Sequence, residues 1–353
     1  MTVPSCPSAP LTRALLTTET EEIMNKICMG IWGIGNLRDR FNVNGFKENM
    51  SVLDRIRLAG ETEGIDGIEL HVPTEIDESN ADEIQKILKD HDLQMVQLCG
   101  HTWTEKQYKF GALGDTDPKV RQAAVDRVKW ALDMGARFNV PISVLWPATD
   151  GNDFPLQTDY VALYDRYTDS VNKILGYLHQ NNYKTRICIE PKPFEPRSWI
   201  MMGNTAAALS VVQEIDDPAL GINIDVGHSL IARENVEDVF SMVLRAKKLF
   251  HTHWNDNDQQ ADMDIPPGTT NFTRMVSILY ILDQAKYDGW FGLDLFPYRD
   301  DSIDFMVLSV ENLRLGQRVV ALMNQRGARE LRAEGTKGPE LARLIRDCIR
   351  EAR

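Results

Sequence analysis

The residues with the clearest chemical potential stand in Arg186–Pro196, RICIEPKPFEP, where a short apolar run ends at Glu190 and Lys192 follows two positions later. Prolines at 191, 193 and 196 remove backbone donors and push the residues before them into extended conformations, so the segment is stiff and non-helical. A carboxylate and an ammonium on such a segment can act as a metal ligand and a fixed donor. A strand ending in a surface ion pair would look the same on this stretch alone. Further along stand Asp225 with His228 three positions later, His251 and His253, the pair Asp262 and Asp264, and Asp294. Glu190, Asp225, His253 and Asp294 together make three carboxylates and one imidazole. Crowded carboxylates repel, and a cation between them resolves the conflict. Oxygen-rich ligation with one nitrogen suits Mn²⁺, Mg²⁺ or Co²⁺. His228, Asp262 and Asp264 form a second set, with Asp225 able to bridge both, so one or two metals per subunit are expected. Asp256 and Asp258 compete for the second set. His251 shares His253's side of a strand, and His253 is preferred because it lies nearer the strand's C-terminal end.

Trp32, Trp103 and Trp146 are candidate apolar walls, suited to the C–H faces of a sugar and to keeping water from a transferring hydrogen. Lys192 can polarise a substrate oxygen as a fixed donor. His71 is a candidate acid/base near a ring oxygen.

Positioning these groups requires a scaffold that brings distant segments to one rim. Strand-forming runs are predicted at 27–32, 67–71, 94–99, 142–146, around Glu190, and at 221–225, 249–254 and 291–295, with amphipathic helical sequence between them. Helices are predicted at 48–63, 81–91 with Asn80 as cap, 118–139 and 159–180. Eight strands alternating with helices imply parallel pairing and a closed (β/α)₈ TIM barrel, whose active sites lie at the strands' C-terminal ends. A doubly wound sheet is disfavoured because Gly33-Ile34-Gly35 is only a fragment of a dinucleotide-binding turn. The predicted ends carry Trp32, His71, His101, Trp146, Glu190 with Lys192, Asp225 with His228, His253 and Asp294. Four of the chain's seven histidines fall there, which scattered surface histidines would not do.

At 353 residues, 43% hydrophobic and 26% charged, the chain has an ordinary globular balance, and its net charge of −13 argues against a nucleic-acid partner. The five cysteines are scattered without a CxxC pair, which fits reduced thiols and a cytoplasmic location. No apolar run is long enough for a membrane span, and residues 1–26 read as an N-terminal arm without signal-peptide character. The barrel is expected over 27–324. Residues 325–353 read as a charged helical tail without much of an apolar stripe, lying on the surface or over a neighbouring subunit.

The sequence resembles the xylose isomerase-like TIM barrels over most of 27–324. The residues that carry the resemblance are Ile189–Arg197 (IEPKPFEPR), Asp225-Val-Gly-His228, Lys248–Phe250 followed by His253, Asp262-Met-Asp264 and Gly292–Pro297 (GLDLFP), with Leu145-Trp146 and Phe110–Arg121 in the same pattern. The resemblance implies a two-metal sugar isomerase that interconverts an aldose and a ketose by a metal-promoted hydride shift. Glu190, Asp225, His253 and Asp294 would hold a structural metal, and Asp225, His228, Asp262 and Asp264 a catalytic one. His228 would also face substrate, Lys192 would bind the carbonyl oxygen and His71 would assist ring opening. The aspartate that usually supports that histidine three residues on is replaced by Thr74. The Glu–Asp–His–Asp set looks more like rhamnose isomerases and ketose 3-epimerases than like true xylose isomerases.

Two alternatives share this barrel. A ketose 3-epimerase would use Glu190 and Asp294 as facing acid and base. The catalytic (alpha) subunit of a C-glycoside deglycosidase would abstract a proton from a 3-oxo-glycoside with His101 or His71, and would bring a small partner subunit. A nuclease relative needs more histidine ligands and a basic face, and a non-catalytic sugar-binding barrel would not need the full ligand set. The substrate is expected to be an unphosphorylated sugar or glycoside, and a homo-oligomer is expected.

Overall fold

The short apolar runs form the staves of a barrel. In the computed structural model, which describes residues 24–353, the strands are β1 (Ile27–Gly30), β2 (Gly67–Val72), β3 (Gln94–Gly100), β4 (Ile142–Leu145), β5 (Arg186–Ile189), β6 (Leu220–Asp225), β7 (Leu249–Trp254) and β8 (Phe291–Leu293). Each pairs in parallel with the next, and β8 returns to β1, giving a closed (β/α)₈ TIM barrel. A two-residue antiparallel pair, Gly151–Asn152 with Trp199–Ile200, lies outside the barrel sheet.

Most strands differ by a residue or two from the spans expected. The largest changes, two residues each, are at β8, which ends at Leu293, and at β1, which ends at Gly30 because a single 3₁₀ turn, Ile31–Gly33, follows it. That turn places Trp32 over the barrel mouth instead of in its wall. The crossovers include α1 (Val52–Glu61), α2 (Ala81–Asp90), α3 (Pro118–Phe138), α4 (Tyr160–Gln180), α5 (Thr205–Ile215) and α7 (Val236–Arg245). α1 is shorter than 48–63 because the Ser51 side chain accepts from Asp54 N and starts the helix there. Asn80 precedes α2 but does not cap it; its Oδ1 accepts from Asp77 N instead. Asn139 ends α3 in the left-handed conformation at φ 55°.

The outer strand faces and inner helix faces merge into one apolar core. The inner strand faces are different, with Glu69, Gln97, Asn223 and His251 buried inside the barrel. At the C-terminal end, α9 (Ser302–Gln325) and α10 (Ala328–Ala333) precede α11 (Gly338–Ala352). α11 does carry a stripe that the expectation of a plain charged tail overlooked: Leu344, Ile345, Cys348, Ile349 and Ala352 pack onto the barrel's own core. Among the described residues no helix is long and apolar enough to cross a membrane. Cys28, Cys99, Cys188 and Cys348 are all buried and unpaired. Cys6 and the arm up to residue 23 lie outside the described residues.

Candidate active site

The DVGH motif folds as a strand end that becomes a helix cap. Asp225 closes β6 and caps the short helix α6 (Val226–Ile231), with its Oδ1 accepting from His228 N at 2.8 Å. Parallel register sets Asp225 directly beside His253 on β7. On the other side His253 is paired with Gly292 of β8. A Cβ at Gly292 would stand 2.5 Å from Glu69 Oε1 and 2.9 Å from His253 Cδ2, so these side chains fit only because position 292 has none. Glu190 follows β5, and its backbone N–H still bonds Leu145 O, which continues the ladder one residue past the strand.

One ligand atom from each of Glu190, Asp225, His253 and Asp294 lies within 4.8 Å of all the others. His253 Nδ1 is 3.3 Å from Glu190 Oε1, 3.5 Å from Asp294 Oδ2 and 3.9 Å from Asp225 Oδ2. Burial and the neighbouring Glu190, Asp262 and Asp294 push the Asp225 carboxyl up to about 7, against the pull of His228. Burial and Glu190 likewise raise Asp294, although His253 pulls the other way. Burial also works against charge on Glu190, but His253 and His228 outweigh it and hold it below the usual range. Negative charge is therefore in excess at this point, which is the condition a divalent cation relieves. The three oxygens and one nitrogen suit Mn²⁺, Mg²⁺ or Co²⁺.

Four supporting residues were not anticipated from the sequence. Glu69 Oε2 lies 3.0 Å from His253 Nε2, while its Oε1 meets His251 Nε2 at 2.8 Å and Cys28 Sγ at 3.0 Å. A carboxylate behind a ligand imidazole fixes the ring and leaves the other nitrogen for a metal. Asn223 Nδ2 donates to Glu190 Oε2 at 3.0 Å. Asn255 Nδ2 donates to Asp225 Oδ2 at 3.0 Å and to Asp264 Oδ1 at 3.2 Å. Asn223 stands two residues before the candidate ligand Asp225, and Glu69 two before the candidate acid/base His71, each on the same strand face, a period-2 signal that could have found them.

The fourth is Glu75. Its Oε2 accepts from His71 N at 2.8 Å and lies 3.0 Å from His71 Nδ1, while Arg55 lies 3.7 Å from its Oε1. The missing support at Thr74 is thus supplied one residue later, because the turn after β2 folds Glu75 back over His71. Thr74 instead bonds His101 Nδ1 at 3.2 Å, and Thr104 takes His101 Nε2 at 2.8 Å. Burial and His71 push His101 down to about 4.

The second set does not gather around a point as the first does. His228 Nε2 and Lys192 Nζ approach the same Asp262 oxygen, at 3.1 Å and 2.7 Å. Asp256 accepts from Thr270 and Asn271 ahead of α8 (Phe272–Gln284), and Asp258 is exposed in a loop; neither joins the cluster. His251 sits deeper in the barrel than His253, held by Glu69.

Glu190, His253, Asp294, His228, Lys192, Asp262 and Asp264 line a cavity of about 460 Å³. Trp32, His71, His101, Trp103 and Trp146 form one wall. His101 stacks on Trp103 with ring centres 3.9 Å apart, and Trp103 meets Trp146 edge-on at 5.0 Å. Trp32 joins the two walls, since its Nε1 donates to Asp294 Oδ1 at 2.7 Å while its ring lies 4.4 Å from His71.

A family model described as xylose isomerase-like TIM barrel matches residues 56–314. The chain belongs to that family. Xylose isomerase from Thermus thermophilus is 26% identical over 276 residues, covering 75% of this chain and 71% of that protein. Among solved structures, an L-ribulose 3-epimerase superposes with a TM-score of 0.66 at 14% identity, covering 87% of this chain and 98% of its own. The 3-keto-D-glucoside 4-epimerase YcjR from E. coli gives 0.64 at 17% identity, covering 83% and 99%. At such identities the structural likeness establishes the fold.

Proposed function

We propose that this barrel is a divalent-metal-dependent isomerase that interconverts an unphosphorylated aldose and its ketose. The observation that carries this reading is the His71–Glu75 pair, set in the same cavity as the four-ligand cluster and linked to it through Trp32. An aldose is held mostly as a ring, so its isomerase needs a proton-moving group at the ring oxygen as well as a centre that polarises C1 and C2. Glu75 orients the His71 ring through Nδ1 and leaves Nε2 for the substrate. A cation held by Glu190, Asp225, His253 and Asp294 would supply Lewis-acid polarisation of the sugar oxygens. Lys192 places an ammonium beside the Trp146 ring at 5.5 Å, available to a substrate oxygen. The tryptophans cover the sugar's C–H face and exclude water while hydrogen passes between C1 and C2.

Among the described residues, the arginine and lysine lining the cavity, Arg55 and Lys192, each face a carboxylate, so their charge is balanced and no surplus is left for a phosphate dianion, which favours a neutral sugar. A 3-epimerase is the second reading. It is favoured by Glu190 and Asp294 approaching His253 together, the arrangement expected of a facing acid and base. His101 is a poor proton abstractor because two threonine hydroxyls occupy its ring nitrogens, which leaves His71 as the base for the lyase reading.

The test is turnover of metal-reconstituted protein in D₂O, followed by NMR, with unphosphorylated aldoses, ketoses and a 3-oxo-glycoside. Aldose-to-ketose conversion without deuterium at C1 or C2 is the expected result. Deuterium entering at C3 of a ketose would replace this reading with the epimerase, and aglycone release would replace it with the lyase.

A further inference from the structure

Gln97 is a polar side chain buried on the inner face of β3, and the chemistry described above does not use it. It is 1% exposed, and its Oε1 has no hydrogen-bond partner among the described residues. Buried amides are nearly always paired, because an unpaired one weakens the fold. The residues beside it do not supply the bond. In the strand register Gln97 faces Glu69 on β2 and Ile142 on β4. The Glu69 oxygens are taken by Cys28, His251 and His253, and the Ile142 side chain has no polar group. The Cys99 thiol, two residues on along the same strand face, donates to Val144 O at 3.1 Å.

Ser143 Oγ, Asn223 Oδ1 and His251 Nδ1 are unpartnered among the described residues as well, but those residues do not line the cavity. Gln97 does, together with Cys99 and Val144 from the same two strands. Trp146, just past the end of β4, adds a second unpartnered atom on a cavity-lining residue, its Nε1. An amide can donate and accept, and an indole N–H donates. A hydroxyl group complements both, and a carbon stripped of its hydroxyl complements neither.

We propose that Gln97 is a specificity-determining residue of this cavity, reading one substrate hydroxyl at C3 or beyond. The inference deepens the isomerase reading and rests on it in one respect. That reading assigns the C1 and C2 oxygens to the metal and Lys192, which leaves the later hydroxyls for Gln97. The amide stands in mid-strand, so the barrel fixes its place and the hydroxyl has to come to it. The substrate class is then narrower than aldoses at large: a sugar whose hydroxyl at that carbon is present and unsubstituted. A site built to bond a hydroxyl rejects the analogue without it, because the protein group is left buried and unpaired.

The test reads binding rather than turnover. Metal-loaded protein is titrated by calorimetry with the open-chain alditols of the common pentoses and hexoses, and with monodeoxy alditols that each lack one hydroxyl. Q97M keeps the length of the side chain and removes the amide. It is expected to bind the tightest alditol roughly 10–100-fold more weakly than wild type does. One deoxy alditol should bind wild type and Q97M alike while the others keep the difference, which couples the amide to a single hydroxyl. Without ligand, Q97M should melt no lower than wild type, because it removes an unpaired group rather than a bond within the fold. Q97L serves if Q97M does not fold.

Equal affinity of wild type and Q97M for every alditol would overturn the inference, as would an equal loss for all of them. A lower melting point for Q97M would show that the amide serves the fold, through a bound water or otherwise, and would also overturn it. So would coupling at the C1 or C2 hydroxyl, or a wild type that binds none of the alditols. Aldose turnover without deuterium uptake alongside any of these results leaves the isomerase reading standing. Selective loss at one later hydroxyl without aldose turnover would instead retire the isomerase reading and leave Gln97 as the reader of a polyol.

Discussion

The barrel mouth divides into two halves of opposite chemistry. The ends of β5 to β8 contribute Glu190, Asp225, His253 and Asp294, with Asn223 and Asn255 holding them by hydrogen bonds. The ends of β1 to β4 contribute Trp32, His71, His101, Trp103 and Trp146, whose rings pack on one another. In the first half buried charge is concentrated and short of cations. Among the described residues lining the second half it is limited to one carboxylate, Glu75, matched by His71 and Arg55. The difference suits a site in which one side polarises a substrate and the other moves a proton and excludes water. It also means that substitutions on the two sides should fail differently.

The largest effect is expected on the charged side. E190Q removes a ligand from the convergent set and leaves Asn223 facing an amide, so bound metal should fall to the background seen by dialysis. Loss of several kcal/mol of Lewis-acid stabilisation corresponds to a drop in turnover of about 10³-fold or more. Retention of one tightly bound metal in E190Q would break the assignment of this half. E69Q tests the same half from behind: His253 keeps its place but loses its charged partner. Metal affinity should weaken by roughly 10–100-fold, read by titration, with the cavity otherwise intact.

On the aromatic side, metal content should not change. H71Q is expected to slow turnover of ring-form aldoses by about 10²-fold or more while sparing a substrate analogue that is already open-chain, and E75Q should act in the same direction by less. Equal losses on both substrates would place His71 in the hydrogen-transfer step instead. W32F tests the join between the halves. It keeps an aromatic ring against His71 but removes the donor to Asp294, and a lost bond to a buried carboxylate should cost roughly tenfold in kcat/KM.

The barrel itself was readable because each stave is an apolar, β-rich run at its own position, and alternation with helices leaves few topologies. The convergence of Glu190, Asp225, His253 and Asp294 was readable for a related reason: each stands at or just past the end of such a run. The partners that hold them were harder to see. Glu75 reaches His71 because of the turn that follows β2, which spacing along the chain does not specify. Lys192 meets Asp262 across seventy positions of sequence, and only the closed barrel brings them together. Asn80, a good cap by residue type, is used by the preceding turn, so local preference yielded to a neighbouring hydrogen bond.

The smallest expected effect concerns a carboxylate that serves neither wall. Asp150 follows β4 behind the aromatic half, and its Oδ1 accepts from Ala112 N at 2.9 Å and Gly114 N at 3.0 Å. Burial pushes it up to about 7, with those backbone donors pulling it down but not far enough. Its folded value is therefore above its unfolded one. Any stability it provides is complete below the unfolded value near 3.8 and is lost as pH rises through about 7. D150N keeps an acceptor oxygen for the two amides and does not titrate. At pH 8 it should melt higher than wild type by roughly a few °C, and the advantage should vanish near pH 4. Because no metal ligand is involved, the shift should be the same in stripped and metal-loaded protein, whereas the carboxylates of the charged half should respond to metal. A D150N advantage that disappears on loading metal would mean that the two halves are electrostatically coupled, and the division drawn between them would fail.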